Sequence, residues 1–289
     1  LNEVKQIADR VTVLRDGKNA GELAKSEIST DAMVRLMVGR DVMRPPARQV
    51  ASQERTLVVT DLRTGRYPQH TVSFSVLKGE IVGVAGLVGA GRTEMAKAVC
   101  GMDRRLGGEV RLDGRSVPAN VSGAIRAGLF LAPEDSRKEG LITAMSVREN
   151  TTLPSLAQHA VAGLVRHGRE SNTAEAMRER LRVKTPTIES EVAGLSGGNQ
   201  QKVVLAKWLA MKPKCLVFDE PTRGIDVGAR AEIYGKMREL ADEGVAILMI
   251  SSDMEEVLAM SDRVLVMHEG RLAGELGREE ATEETIMCL

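Results

Sequence analysis

Aromatic side chains are scarce in this sequence, as are cysteines and any excess of charge of one sign. Phe, Trp and Tyr make up 2% of the 289 residues, so the core must rest on aliphatic side chains and methionine. Basic and acidic residues number 40 each, which leaves no positive field for a nucleic-acid partner. Cys100, Cys215 and Cys288 share no metal or disulfide spacing, as is typical of proteins from a reducing compartment.

Long hydrophobic runs are also missing. The longest, Ile81–Ala85 and Val245–Ile250, have the length of buried strands and fall far short of the ~20 residues of a membrane-spanning helix. With 43% hydrophobic and 28% charged residues, the composition is that of a globular protein with a core. We therefore expect any membrane role to come through a partner.

The two ends of the chain resemble each other. Leu1–Leu23 and Met254–Leu276 align without a gap, and about half of their positions are identical. Self-similarity at a domain-length offset indicates a duplication. We predict that residues 1–38 are the C-terminal tail of a preceding domain, that 39–56 form a linker, and that 57–289 form a second copy. The alternative is one domain with two similar hairpins at its ends.

Strand-like and helical segments alternate along residues 57–289. This alternation predicts an α/β fold in which helices wrap a parallel sheet. From about Ser146 to Glu189 the pattern is helical and charged, which predicts a helical insert. The segments that read as strands are Leu57–Thr60, Val72–Val76, Ile81–Ala85, Val110–Leu112, Leu129–Leu131, Leu216–Phe218 and Ala246–Ile250.

A glycine-rich segment, GLVGAGRT, follows an apolar strand and opens a helix, which is the context of a phosphate-binding loop. Glycines let backbone N–H groups approach phosphate oxygens, and the helix N-terminus adds positive potential. Thr93 can place a hydroxyl on Mg²⁺, and Arg92 stands where such loops usually have lysine. Alone, the segment could be an ordinary glycine-rich turn. The nucleotide-binding residues predicted here are Gly86, Gly89, Ala90, Gly91, Arg92, Thr93 and Glu94.

Two carboxylates follow the apolar run Leu216–Phe218. Such a pair lies at the carboxyl edge of a parallel sheet, where ligands of α/β proteins bind. Asp219 is suited to coordinating Mg²⁺, and Glu220 to orienting or deprotonating an attacking water. Acidic residues after a strand are common, so this pair alone is weak evidence.

A third motif, LSGGNQQK, leads into an apolar-periodic helix. Ser196 can cap that helix, while Gly197 and Gly198 leave its N–H groups open to an anion. In isolation, the segment could be a simple capping loop.

In this order, the three motifs and the segment DEPT resemble the ABC ATPase family over Leu57–Leu276. The resemblance implies a P-loop NTPase with a RecA-like core and parallel sheet, an antiparallel β edge, and a helical subdomain at roughly 135–204. It also implies that two such domains bind two ATP molecules with Mg²⁺, each ATP lying between one domain's P-loop and the other's LSGG.

Longer segments resemble the second half of the tandem ATPases of monosaccharide importers: GEIVGVAGLVGAGRTE, APEDSRKEGL, LSGGNQQKVVLAKWL and DEPTRGIDVGAR. This resemblance implies an ATPase on the cytoplasmic face of the bacterial inner membrane. The implied partners are a first ATP-binding domain in the same full-length chain, integral membrane permease subunits and, indirectly, a periplasmic sugar-binding protein.

The resemblance also assigns roles to residues outside the three motifs. Glu134 falls where the family usually has the Q-loop glutamine, which touches the metal site and the membrane subunit. Gly224–Asp226 resembles the D-loop, and Tyr67 is a candidate for stacking on adenine.

The sequence departs from the family at two phosphate-contacting positions. Arg92 replaces the usual lysine, and Ser252 or its neighbour Asp253 stands where the family usually has a histidine that contacts the γ-phosphate. We expect Glu220 and Ser252 at the catalytic centre. Our hypothesis is that the site binds nucleotide but hydrolyses it slowly.

Other readings of the family resemblance stay open. A soluble tandem ABC protein acting on ribosomes usually has a long charged linker, whereas the linker here is short and contains proline. A DNA-repair ATPase would have a coiled-coil insert, and no sustained heptad run is present. A regulatory half without turnover is compatible with Arg92 and Ser252.

Overall fold

The computed structural model describes residues 2–15, 18–29, 32–33, 36, 50, 52–225 and 227–289. Its main feature is a six-stranded sheet in the order β14–β13–β5–β12–β11–β8, in which β14 alone runs antiparallel to its neighbour. The strands are β5 (Ile81–Ala85), β8 (Leu129–Ala132), β11 (Cys215–Asp219), β12 (Ala246–Ile250), β13 (Arg263–His268) and β14 (Arg271–Gly277).

The central strands are apolar throughout because both faces of the sheet are covered. Every residue of β5, β8, β11 and β12 is buried. Alternate side chains enter two separate hydrophobic clusters, with Phe218 and Met249 in one and Val217 and Leu248 in the other. The predicted parallel sheet is thus confirmed as the core of the fold.

A second, antiparallel sheet packs its apolar side chains into the cluster that contains Val217. Its order is β4–β3–β6–β7, and it forms the expected antiparallel edge. Its first strand is longer than predicted, because a register shift at Asp61, with φ of 48°, lets pairing resume beyond Thr60. The strands are β3 (Arg55–Arg63), β4 (Val72–Leu77), β6 (Gly107–Leu112) and β7 (Arg115–Ser116).

Helices flank the sheets, and their ends follow local sequence signals. The side chain of Asn120 accepts a hydrogen bond of 2.8 Å from Gly123 N at the start of one helix, and Gly128 ends that helix with φ of 96°. Within the described residues, no helix combines the length and apolar composition that crossing a bilayer requires. These helices are α2 (Arg92–Val99), α3 (Val121–Ala127), α8 (Val227–Asp242), α9 (Met254–Met260) and α10 (Glu283–Met287).

The chain between β8 and β11 is mainly helical. A capping box of Ser146 and Glu149 starts its first helix, and Arg148 ties that helix to Glu170 at 2.6 Å. A small hairpin interrupts the helices, which we did not predict because its strands are two residues long. The elements are a π-helical turn (Ser136–Gly140), α4 (Val147–Thr152), α5 (Leu156–His159), β9 (Ala160–Val161), β10 (Leu164–Val165), α6 (His167–Leu181) and α7 (Gly197–Leu209).

The N-terminal elements repeat the architecture of the C-terminal ones. They are α1 (Asn2–Ile7), β1 (Arg10–Arg15) and β2 (Lys18–Ala24), and β1 pairs with β2 as β13 pairs with β14. Both hairpins contain an irregularity at the matching position, between Val13 and Leu14 and between Val266 and Met267. Leu36 lies against Gly21 just as Leu289 lies against Gly274. Most of the predicted linker, residues 39–49 and 51, lies outside the described residues.

Candidate functional site

The glycine-rich loop after β5 is shaped by close backbone contacts. Gly86 has φ of 150°, and a Cβ there would lie 2.4 Å from the Met267 carbonyl oxygen. Gly91, with φ of 95°, opens α2 in a left-handed conformation that favours glycine. Gly89 also has positive φ, and Ala90 N donates to Leu87 O at 3.0 Å. Positive φ at Gly86, Gly89 and Gly91 gives the loop the glycine-dependent backbone that the motif predicts for binding an anion.

Arg92 points across the sheet edge toward the segment after β12. Its side chain is buried, and Nη1 donates to the backbone carbonyl of Ser251, while Nη2 lies 3.9 Å from Glu220 Oε1. Glu94, two residues along α2, instead pairs with Arg66 at 2.5 Å. The guanidinium of Arg92 therefore lies beside Glu220, the carboxylate that was predicted to act on water.

Thr93 and Asp219 come together as predicted. Thr93 Oγ1 donates to Asp219 Oδ1 at 3.2 Å. Asp219 is 1% exposed, and its Oδ2 has no hydrogen-bond partner among the described residues. Burial raises the pKa of Asp219 to about 6, although the hydrogen bond from Thr93 opposes the shift. An unpartnered buried oxygen beside a hydroxyl is a donor set that fits Mg²⁺.

The protein's own metal ligands are few at this position. In the described part of the chain, no cluster of three or more His, Cys, Asp or Glu side chains could hold a metal ion. Because Mg²⁺ is usually held by one or two protein oxygens plus phosphates and water, Thr93 and Asp219 suffice for this mode of binding.

Ser252, one of the two candidates for the position of the family's histidine, contacts the predicted catalytic carboxylate. Its Oγ donates to Glu220 Oε2 at 3.0 Å. Asp253 instead caps α9 through Glu256 N at 3.3 Å and lies 3.2 Å from Arg230. Of the two residues considered for this position, the structure thus brings Ser252 to Glu220.

Glu134 follows β8 and forms an ion pair with Arg223. Both line a groove of about 480 Å³ that also includes Gly197 and Gly224. The structure therefore joins Glu134 to the loop after β11 rather than to Thr93 or Asp219. Asp226, the last residue of the predicted D-loop, lies outside the described residues.

The signature segment begins α7, but Ser196 does not cap it as we expected. Ser196 occupies the N-cap position, yet its side chain makes no hydrogen bond to a backbone N–H of the first turn. Its Oγ instead accepts a 2.9 Å hydrogen bond from Asn199 Nδ2. The capping prediction was wrong because the asparagine side chain competes for the hydroxyl. Gly197 and Gly198 form the first turn of α7.

Tyr67 lies against the phosphate loop. Its hydroxyl donates to the carbonyl of Gly89, and its ring packs on Gly91 and Gly270. The guanidinium of Arg66 lies 5.6 Å from the ring centre. The proposed stacking on adenine stays a prediction, while these contacts with the loop had no signal in the sequence.

The site combines a phosphate loop, a buried aspartate paired with the loop threonine, and an adjacent glutamate, which defines a nucleotide-binding P-loop protein. The profile of the ABC transporter family matches residues 69–223. The chain belongs to the ABC transporter ATP-binding family, as the motifs predicted.

Curated relatives include a ribose import ATP-binding protein from Streptomyces coelicolor, 52% identical over all of this chain and 57% of its own length. A Bacillus subtilis protein of the same name is 45% identical over all of this chain and 59% of its own length. A xylose import ATP-binding protein from Thermoanaerobacter pseudethanolicus is 45% identical over 99% of this chain and 59% of its own length. The chain thus spans less than two thirds of these relatives.

Solved structures share the fold. A nucleotide-free ATP-binding cassette of an ABC transporter superposes with a TM-score of 0.67 at 21% identity, covering 81% of this chain and 96% of the cassette. A dimeric post-hydrolysis cassette bound to ADP and phosphate gives a TM-score of 0.65 at 19% identity, covering 77% and 98%. These superpositions confirm the predicted P-loop α/β fold.

Proposed function

We propose that this chain is part of the ATP-binding and hydrolysing subunit of an importer for a monosaccharide or related small carbohydrate. The observation that carries the proposal is the set Arg92, Thr93, Asp219 and Glu220 at one sheet edge, on a chain whose relatives are named for ribose and xylose import. The two ATP-binding domains would close on ATP and reopen after hydrolysis. This motion would drive transport through separate membrane subunits.

The residues for ATP and Mg²⁺ follow from the site. The loop Gly86–Thr93 would bind the phosphates, and Thr93 with Asp219 would hold Mg²⁺, which would neutralise phosphate charge. Glu134, which is paired with Arg223, would join the metal site if that pair opened. Glu220 orients the attacking water.

This half's own site is proposed to be degenerate. Arg92 and Ser252 both contact Glu220, so the two groups that replace the usual lysine and histidine are directed to the carboxylate. Serine cannot supply the cationic donor that a histidine can. These contacts also favour the second candidate, a nucleotide-binding regulatory half without turnover.

The intact signature Ser196–Gly198 is proposed to complete the site on a first ATP-binding domain of the same full-length chain. Residues 1–38 are its C-terminal tail, 39–56 the linker and 57–289 the second domain, a division that the matching hairpins support. The other partners are permease subunits and, indirectly, a periplasmic sugar-binding protein, with no nucleic acid. The assembly would lie on the cytoplasmic face of the bacterial inner membrane.

The test is Ser196→Arg in the full-length protein with its permease subunits. Arginine at the start of α7 blocks the approach of a facing γ-phosphate, so ATPase activity should fall at least about tenfold, a loss of ~1.4 kcal/mol in the transition state. The control is Ser122→Arg, at an exposed serine of α3 outside every motif. Unchanged ATPase activity in Ser196→Arg would refute the proposal.

A further inference from the structure

A buried glutamate outside the recognised motifs joins three segments behind the phosphate site. Glu256, in α9, is 3% exposed. Its Oε1 accepts a 3.0 Å hydrogen bond from Thr222 Oγ1, and its Oε2 accepts one of 2.5 Å from Ser251 Oγ. Tyr234, in α8, interacts with the same carboxylate. One side chain therefore connects the loops after β11 and β12 with α8 and α9.

The contact with Ser251 leads directly to the phosphate loop. Ser251 Oγ donates to Glu256 and accepts from Asp253 N at 3.0 Å, so the side chain is fixed on both sides. The carbonyl of the same residue accepts the hydrogen bond from Arg92. The position of Ser251 therefore decides where the guanidinium of Arg92 lies.

The contact with Thr222 leads to the carboxylate that faces Arg92. Thr222 is 2% exposed and lies in the turn that follows Glu220, where Arg223 N donates to Glu220 O at 3.2 Å. Glu220 itself has φ of 50°, a conformation that side chains other than glycine rarely adopt without support. Holding Thr222 therefore restrains the turn that carries Glu220.

Desolvation disfavours a carboxylate at this buried position. Burial raises the pKa of Glu256, and the hydrogen bonds from Ser251, Thr222 and Tyr234 oppose the shift. A well-packed apolar side chain would avoid the desolvation cost but could accept none of these hydrogen bonds. The group's value to the fold therefore lies in fixing the geometry of the two loops.

We propose that Glu256 is a positioning residue for the phosphate site, which holds Ser251 and Thr222 so that Arg92 is kept beside Glu220. The inference rests on the proposed nucleotide-binding function and extends it to a residue that touches neither nucleotide nor metal. It predicts that substitutions of Glu256 alter the affinity for ATP by displacing Arg92.

The test compares Glu256→Met, which keeps the length but removes both acceptors, with Glu256→Gln, which retains one. Glu255→Met is the matched control, since Glu255 is the exposed neighbour on the same helix. We expect Glu256→Met to weaken ATP binding about tenfold, Glu256→Gln to recover part of the loss, and Glu255→Met to bind as the unsubstituted chain does.

A double-mutant cycle separates positioning from general destabilisation. If Glu256 acts through Arg92, Glu256→Met should change the ATP dissociation constant less than about twofold in an Arg92→Gln background. A purely structural role would weaken binding equally in both backgrounds, and that result would overturn the inference. Melting temperatures of all variants show which of them are folded.

Hydrogen exchange of residues 251–253 in the nucleotide-free chain provides a readout that needs no ATP. Exchange should be faster in Glu256→Met than in Glu255→Met, and equal rates would overturn the inference. If the unsubstituted chain does not bind ATP, the proposed function fails together with this role. If it binds ATP and Glu256→Met binds as tightly as Glu255→Met, the inference alone fails.

Discussion

At the scale of single residues, the phosphate loop depends on the contact between Tyr67 and Gly270. Gly270 has φ of 78°, and a Cβ there would lie 2.2 Å from the Tyr67 ring. Gly270 N also donates to Ala90 O at 2.8 Å, so the β13–β14 turn and the ring support the loop together. Glycine is required at this position by both conformation and space.

We predict that Gly270→Ala lowers the free energy of unfolding by at least about 3 kcal/mol. Alanine would be strained in the left-handed conformation, and its Cβ would overlap the Tyr67 ring. The control is Gly114→Ala, where φ is 73° and no atom lies within 4 Å of the added Cβ, so strain alone should cost about 1 kcal/mol. Chemical denaturation measures both. Equal losses in the two variants would mean that the contact with Tyr67 contributes nothing.

The sequence predicted which residues form the site, but it did not predict which groups their side chains contact. Thr93 and Asp219 meet as expected because the loop and the strand end have fixed places in a parallel sheet. Arg92 is predicted to contact phosphate, and its hydrogen bond to the Ser251 carbonyl, a backbone group, could not be read from any sequence pattern. The partner of Ser196 was missed for a similar reason, since either Asn199 or a backbone N–H can satisfy a serine hydroxyl.

At the scale of elements, α7 is anchored to the segment after β8 by a buried lysine. Lys207 Nζ donates to the carbonyl of Gly140 and lies 5.0 Å from the Trp208 ring centre. Trp208 in turn stacks on Phe130 of β8, with ring centres 5.0 Å apart. The helix that begins with the signature is therefore attached to the same region as Glu134.

Burial lowers the pKa of Lys207 to about 8, so the folded chain releases this proton before the unfolded chain does. Between that pH and the ordinary lysine pKa, the unfolded state binds more protons, and stability rises with pH. We predict that the unfolding free energy of the natural chain, relative to Lys207→Met, increases by on the order of 3 kcal/mol from pH 8 to pH 10.5. Denaturation at several pH values measures this difference, and a flat difference would contradict the argument.

Helices and strands with a strong hydrophobic pattern in the sequence were predicted, whereas those with a weak pattern were missed. The apolar runs of β5 and β12 identify buried strands because a covered sheet needs no polar face. The β9–β10 hairpin gives no such signal, since its turn, Ala162–Gly163, is specified mainly by positive φ at both residues. The length of β3 was underestimated because the bulge at Asp61 interrupts the alternation of side chains.

At the scale of the whole molecule, the chain carries one phosphate loop and one signature segment, together with a second copy of its terminal hairpin. The matching irregularities in the two hairpins are the structural counterpart of the repeat in the sequence. In the proposed assembly, Arg92 and Ser252 weaken one composite site, while Ser196–Gly198 completes the other. Turnover would then be unequal between the two sites.

The decisive experiment measures ATP binding and turnover by this chain alone, beside the full-length protein with its permease subunits. We predict Mg²⁺-dependent ATP binding by the isolated chain with negligible turnover, and clear turnover in the complex. This result is expected because Arg92 and Ser252 both contact Glu220. In the proposed assembly, the intact signature would act on the other domain's site. Robust turnover by the isolated chain would contradict the proposed asymmetry and show that both substitutions are tolerated.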